Sequence, residues 1–184
     1  MPENEIDAFL EKYGPELKRA FDKHHEALAE ILYEGDRHTA VVGGAIIDDA
    51  MEVFLKSKLR KDATTDALFK YPRPLATVNG KIEIAFAMGI IGPNHRDDLL
   101  CINDIRNFFA HRTLVPDAKH KLSKVTFDTQ SPSDMTKNLI VSQEGQKAFG
   151  QMHAKMRFVY AVFALSTRLM SASLGGGDEE NILS

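Results

Sequence analysis

Arg106, Asn107 and His111 come closest to a set that could do chemistry, within the run Asn103-Asp104-Ile105-Arg106-Asn107-Phe108-Phe109-Ala110-His111-Arg112. An imidazole gives or takes a proton near neutral pH, and a guanidinium stabilises developing negative charge. Together they suit RNA cleavage. The histidine would exchange protons with the 2′-hydroxyl or the leaving group, and the arginine would steady the phosphorane, with no metal required. These polar side chains interleave with Ile105, Phe108 and Phe109, so some must sit against a core. A partly buried Arg or His needs a partner or a task. On an ideal helix Asn107 and His111 share a face, and Asp104 lies two turns before His111 on nearly the same one. Arg106 stands about 140° from His111. The two meet if the arginine wraps round, if the helix distorts near its end, or if a second subunit supplies a partner.

A second constellation is acidic. Asp48 and Asp49 follow Ala45-Ile46-Ile47 in the most apolar helical stretch, and Glu52 comes one turn after Asp48. At least one carboxylate is expected to face inward, and a buried carboxylate demands a cation. Arg106 and Arg37 are the expected partners, either as a clamp joining two helices or as a device orienting Arg106 toward a ligand or phosphate.

Other chemistries lack their residues. No Gly-rich phosphate loop precedes a helix; Gly43-Gly44 lies inside an apolar helix, where small residues allow close packing. His24 and His25 are adjacent, so they point about 100° apart on a helix and do not chelate one metal in the usual way. There is no close cysteine pair, no His-Glu-x-x-His, no nucleophile elbow and no helix-turn-helix with a basic second helix. No cofactor and no metal are expected.

The chain has 184 residues, a single cysteine and a formal net charge of −3. That length suits one domain. The charge argues against direct gripping of duplex DNA, which needs a concentrated positive face. Two basic clusters, Lys56/Lys58/Arg60/Lys61 and Lys119/His120/Lys121/Lys124, read as solvated surface. Cys101 excludes an intrachain disulfide and reads as a buried small hydrophobe. The strongest apolar stretch, Thr39 to Ile47, is too short to span a bilayer, so no membrane association and a cytoplasmic location are expected.

Helical periodicity dominates. Leu17, Phe21, His24, Leu28 and Ile31 form one stripe. A central buried helix is expected from about Thr39 to Lys61, capped by Asp36 or Thr39. A short helix is expected over Thr65 to Lys70, an extended Tyr71-Pro72-Arg73-Pro74, and a turn at Asn79-Gly80. Lys81 to Ile91 should form a helix with Ile82, Ala85, Phe86 and Gly89 inward, and Arg96 to Arg112 another. Residues 113–137 read as a long connection with a β-like patch at Lys124-Val125-Thr126-Phe127 and room for a short hairpin. One long last helix is expected over about Gln143 to Ser173. Phe149, Met152, Met156, Val159, Phe163 and Met170 would form its seam, serving the core or, as the alternative, a dimer. The fold class is therefore an all-α, single-domain helical bundle over 1–174 with a flexible tail at 175–184.

Arg106-Asn107, three residues, then His111 resembles the Arg-x4–6-His signature of the HEPN superfamily. The resemblance implies an all-α, commonly dimeric domain, either a metal-independent ribonuclease or a non-catalytic binding module. A wider set resembles the mannitol operon repressor family over roughly residues 20 to 170. It comprises Asp36-Arg37, Gly44-Ala45-Ile46-Ile47-Asp48-Asp49 with Glu52, and Pro74-Leu75. Further on come Lys81-Ile82 with Ala85, Met88-Gly89-Ile90-Ile91, and Ile105-Arg106-Asn107 with Phe109-Ala110-His111. Met51-Glu52-Val53-Phe54 departs from the Leu-Glu pair of that pattern. This resemblance implies a helical transcriptional repressor without a DNA-reading element. The expectation is thus a homodimeric regulator without enzymatic activity, acting through a protein partner or ligand. Asp36, Arg37, Asp48, Asp49, Arg106 and His111 would be its structural or ligand-contact residues. The alternative is a HEPN-type ribonuclease that binds RNA and uses Arg106, Asn107 and His111.

Overall fold

The computed structural model describes residues 26, 31, 34–116, 122–149 and 151–174. The stripe from Leu17 to Leu28, the pair His24-His25, the cluster at 119–121 and the tail at 175–184 lie outside them; Ile31 is fully buried. The described residues form a mostly helical, single-domain fold with one small two-stranded sheet. Among them no helix is long and apolar enough to cross a membrane.

Helix α1 (Asp36–Lys58) is the centre, packing on three other helices. Its apolar residues fall all round the first half, and Ile47, Ala50, Met51, Phe54 and Leu55 are buried. Neither expected cap holds its N-terminus. The N-cap is Gly35, while Thr39 Oγ1 donates back to the carbonyls of Ile31 and Glu34. Two glycines set how closely its neighbours approach. A Cβ at Gly43 would come within 2.7 Å of the Phe158 ring, and one at Gly44 within 2.4 Å of Arg106 Cγ. This is the close packing that the Gly43-Gly44 pair implied.

Helix α2 (Ala63–Leu68) is capped by Asp62, whose side chain accepts from Thr65 N–H. A 3-10 turn at Pro74–Ala76 follows, with Arg73 extended before it. Asn79-Gly80 is not a free turn. Both residues lie in the first turn of α3 (Val78–Ala87), capped by the Thr77 side chain. Glycine is required at position 80 because a Cβ there would fall 1.9 Å from the Pro74 carbonyl oxygen. Helix α3 ends before the expected Ile91, at a Gly89 with φ +71°. Ile82 and Ala85 are buried as expected. Phe86 is not: it is 40% exposed, with the Arg96 guanidinium over its ring. Gly89 is exposed as well.

Helix α4 (Pro93–His111) begins with proline in its first turn, where the missing N–H costs nothing. It buries Leu99, Ile102, Ile105 and Phe109. The stretch after it is more ordered than a long connection. Strands β1 (Leu114–Pro116) and β2 (Leu122–Lys124) pair antiparallel, Val115 opposite Ser123. Val125 and Phe127 leave the strand and enter the core, where Phe127 bridges Phe109 and Phe158 at ring distances of 4.8 and 5.2 Å. Helix α5 (Gln130–Lys137) comes next, which the polar composition concealed.

The single long last helix is two helices, α6 (Ile140–Phe149) and α7 (Ala154–Ser173), with Gln151 to His153 non-helical between them. The break re-phases the seam. Val159 and Met170 stay inside, whereas Met156 and Phe163 are 39% and 46% exposed. The buried stripe of α7 is Phe158, Val162, Leu165 and Leu169 instead.

Candidate functional site

The end of α4 is held by the start of α1. Arg37 donates to the carbonyl of Ala110 (3.0 Å) and to Thr113 Oγ1 (3.1 Å). Its neighbour Asp36 accepts the N–H of Phe127 (3.0 Å) and lies 3.6 Å from Lys155 Nζ. A guanidinium at a helix C-terminus meets the unsatisfied carbonyls and the negative end of the helix dipole, so this contact stabilises both. The adjacent pair Asp36-Arg37 therefore ties α1, the end of α4 and the chain after the hairpin together.

Arg106 is half-buried. Its aliphatic stem runs over Gly44 of α1, and its Nη1 donates to Asn107 Oδ1 at 2.8 Å. Asn107 shares a helix face with His111. The guanidinium thus reaches Asn107, one turn before His111. His111, the last residue of α4, is exposed. Arg112 is also exposed, its guanidinium 4.8 Å from the Phe108 ring centre and its backbone N–H on the Phe108 carbonyl.

The acidic constellation resolves differently from the expectation. Asp48 pairs with neither Arg106 nor Arg37. Its cation is Lys81 of α3, whose Nζ lies 2.6 Å from Asp48 and 3.0 Å from Glu52. Arg106 is occupied one turn earlier, at Gly44, and Arg37 two turns earlier still. Lys81 instead projects from the first turn of α3 directly onto α1. The deeply buried charge is the lysine, 4% exposed, while the Asp48 and Glu52 side chains keep 36% and 33% of their surface. Lys56 adds a second bond to Glu52 at 2.8 Å. Burial works against the Glu52 carboxylate, but the hydrogen bonds from Lys56 and Lys81 outweigh it and hold the group below its ordinary range. Asp49 points outward and is pushed up, first by lost hydration and then by the charges of Asp48 and Glu52, against the pull of Lys81.

Sequence reasoning missed Lys81, although a signal existed. Lys81 and Ala85 are one turn apart, and Ala85 is on the apolar stripe, so a lysine stood on a core-facing position. It also missed Asp98, a 3% exposed carboxylate on α4 that accepts the N–H groups of Ile140 (2.6 Å) and Val141 (2.9 Å) at the start of α6. His95 beside it is buried and contacts Arg168 of α7. Asn103 donates to Asn79 at 2.8 Å, linking α4 to α3.

Among the described residues no group of three or more His, Cys, Asp or Glu side chains is arranged to hold a metal ion. Among the described residues, fold and site define an all-α domain whose polar residues mostly join helices, with His111 and Arg112 exposed at the end of α4. No protein-family model, curated protein or solved structure matches the chain.

Proposed function

We propose that this protein is a transcriptional regulator of the mannitol operon repressor type, homodimeric and acting through a protein partner or small ligand rather than by reading DNA. One observation carries the reading. Several of the residues on which the resemblance rests touch one another: Arg37 on Ala110, Gly44 under Arg106, Asp48 and Glu52 around Lys81. Contacts between residues far apart in sequence support reading the pattern as a scaffold. The net charge of −3, and a sequence without the pattern of a helix-turn-helix with a basic second helix, support action without direct DNA contact. The test is to delete the gene and measure mannitol operon transcript with and without mannitol, alongside a gel-shift of operator DNA with purified protein. Raised transcript without a gel-shift is expected. Unchanged transcript overturns the reading.

A ribonuclease is the second reading, favoured by Arg106 Nη1 on Asn107 one turn before the exposed His111. Metal-free RNA cleavage by the wild type, lost in folded Arg106→Ala and His111→Ala, would replace the regulatory reading with this one.

A further inference from the structure

We propose that the outward face of α3 is an interface between two copies of this chain, packed about a two-fold axis. The proposal deepens the homodimer of the regulatory reading by assigning its surface, and rests on that reading only for its biological role.

Helix α3 places its charge inside and its apolar residues outside. Its two charged residues are Lys81 and Glu83. Lys81 is buried against Asp48 and Glu52, and the two oxygens of Glu83 accept from Arg96 at 2.7 and 3.2 Å. The side turned to solvent is apolar. Ile84 is 39% exposed and Met88, the C-cap, 43%; Ala87 beside them is exposed too. These three residues lie within about 100° of helix arc, with Phe86 further round beneath the Arg96 guanidinium. At Gly89, the next residue, a Cβ would meet no atom within 4 Å. A helix apolar on nearly every side is one that is covered on nearly every side.

Two properties of the face select a second copy over a different protein. First, its centre is uncharged and its charges stand at the rim. Permanent homodimer interfaces have such apolar centres, whereas transient partners meet on surfaces no more apolar than the rest. Second, the rim is self-complementary. Arg96 holds Glu83 and Asp97 with three of its five N–H groups, so the cluster has both donors and acceptor oxygens to spare. If two copies of α3 pack antiparallel about a two-fold, the cluster of one copy meets that of the other on the same flank. The spare N–H groups of Arg96 then face the Asp97 carboxylate of the second copy. Ala87 is small enough to let the helix axes approach, while Ile84 and Met88 interdigitate with their counterparts. Each cluster has one carboxylate more than it has guanidinium. That repulsion is weak at a solvated rim in physiological salt.

Sedimentation equilibrium of the protein over a range of concentrations tests the proposal. The wild type is expected at twice the 20.5 kDa of one chain. Ile84→Lys/Met88→Lys, altered only at exposed side chains, should weaken the dimer by about a hundredfold. Phe163→Lys, similarly exposed but on α7, should leave it unchanged. If the double variant does not fold, Ala87→Cys answers in its place. Mild oxidation should join two chains through position 87, and the same treatment of Phe163→Cys should join none. A dimer that survives Ile84→Lys/Met88→Lys, that Phe163→Lys breaks, or that fails to cross-link through position 87 overturns the proposal alone and leaves the homodimer standing. A wild-type monomer overturns both, leaving the face to another protein. The transcript measurement is independent of each of these results.

Discussion

The Arg106 side chain lies directly on Gly44, close enough that a Cβ at position 44 would come 2.4 Å from its Cγ and 2.8 Å from its Cβ. The second distance matters more, because a side chain's Cβ cannot swing aside without moving its backbone. Gly44→Ala should therefore push α1 and α4 apart. Overpacking of this kind costs about 1–3 kcal/mol, offset by roughly 1 kcal/mol from the better helix propensity of alanine. Urea denaturation should show a net loss of stability. Unchanged stability would mean that the two helices are not in such close contact.

Lys81 should matter more for stability than any other lysine among the described residues, because it is buried. Lys81→Met keeps most of the buried stem but leaves Asp48 and Glu52 facing each other without their shared cation. Both carboxylates are about a third exposed, so screening limits the cost to about 1–3 kcal/mol. The sign of the pH dependence follows from Glu52. Its carboxyl in the fold is held below the ordinary value of 4.5, so its contribution is present above that pH. It is lost as pH falls through the lower, folded value. Acid denaturation of the wild type should be steeper below pH 4.5 than that of Lys81→Met, and parallel acid limbs would contradict this pairing.

Asp49 should behave with the opposite sign. Lost hydration and the neighbouring acids raise its carboxyl, so its charge costs stability at neutral pH and protonation relieves the cost. Asp49→Asn is expected to stabilise the protein at pH 7 by a few tenths of a kcal/mol, on the order of a surface charge effect, and to lose that advantage in acid. Thermal melts at both pH values decide it.

The helical class and the packing role of Gly43-Gly44 were legible because hydrophobic period and residue size act locally. The cation at Asp48 was not. Arg37 and Arg106 both stand beside apolar segments, and only the three-dimensional path of α3 shows that Lys81 arrives first. The break between α6 and α7 was hidden for a related reason. The 3-4 spacing of Phe149, Met152 and Met156 runs straight through Gln151 to His153, and side-chain periodicity does not register a backbone that stops being helical. Helix α5 was missed because Gln130-Ser131-Pro132-Ser133 has the composition of a loop. Its helix is held by tertiary contacts, among them Arg157 reaching Thr136 at 3.0 Å.

Asp98 serves as a cap supplied from another helix. Its two oxygens accept the N–H groups of Ile140 and Val141, which no residue of the preceding turn satisfies with a side chain. Asp98→Ala would leave these donors unpaired at a buried helix start, a loss of about 2–4 kcal/mol. Asp98→Asn keeps one acceptor oxygen and should fall between alanine and wild type. Hydrogen exchange gives the local reading: the first-turn amides of α6 should lose protection before those of α1. Equal protection in wild type and Asp98→Ala would remove this role.

Cys101 should be inert in the folded protein and ordinary in the unfolded one. Burial, then the charges of Asp98 and Asp104, push its thiol from 9.0 to about 12, and its Sγ–H donates to the Met135 carbonyl at 3.3 Å. Only the thiolate reacts with alkylating or disulfide reagents. With the thiol pushed up to about 12, the thiolate population near pH 8 falls by about a thousandfold, before steric exclusion is counted. Labelling with a thiol-specific disulfide reagent at pH 8 should therefore be slow in buffer and fast in urea. Its native rate should rise with denaturant in step with the opening of the contact between α4 and α5. Fast labelling in buffer would show either that the thiol is solvated or that α5 leaves α4 readily. Hydrogen exchange of the α5 amides separates the two, because only a contact that opens costs them protection.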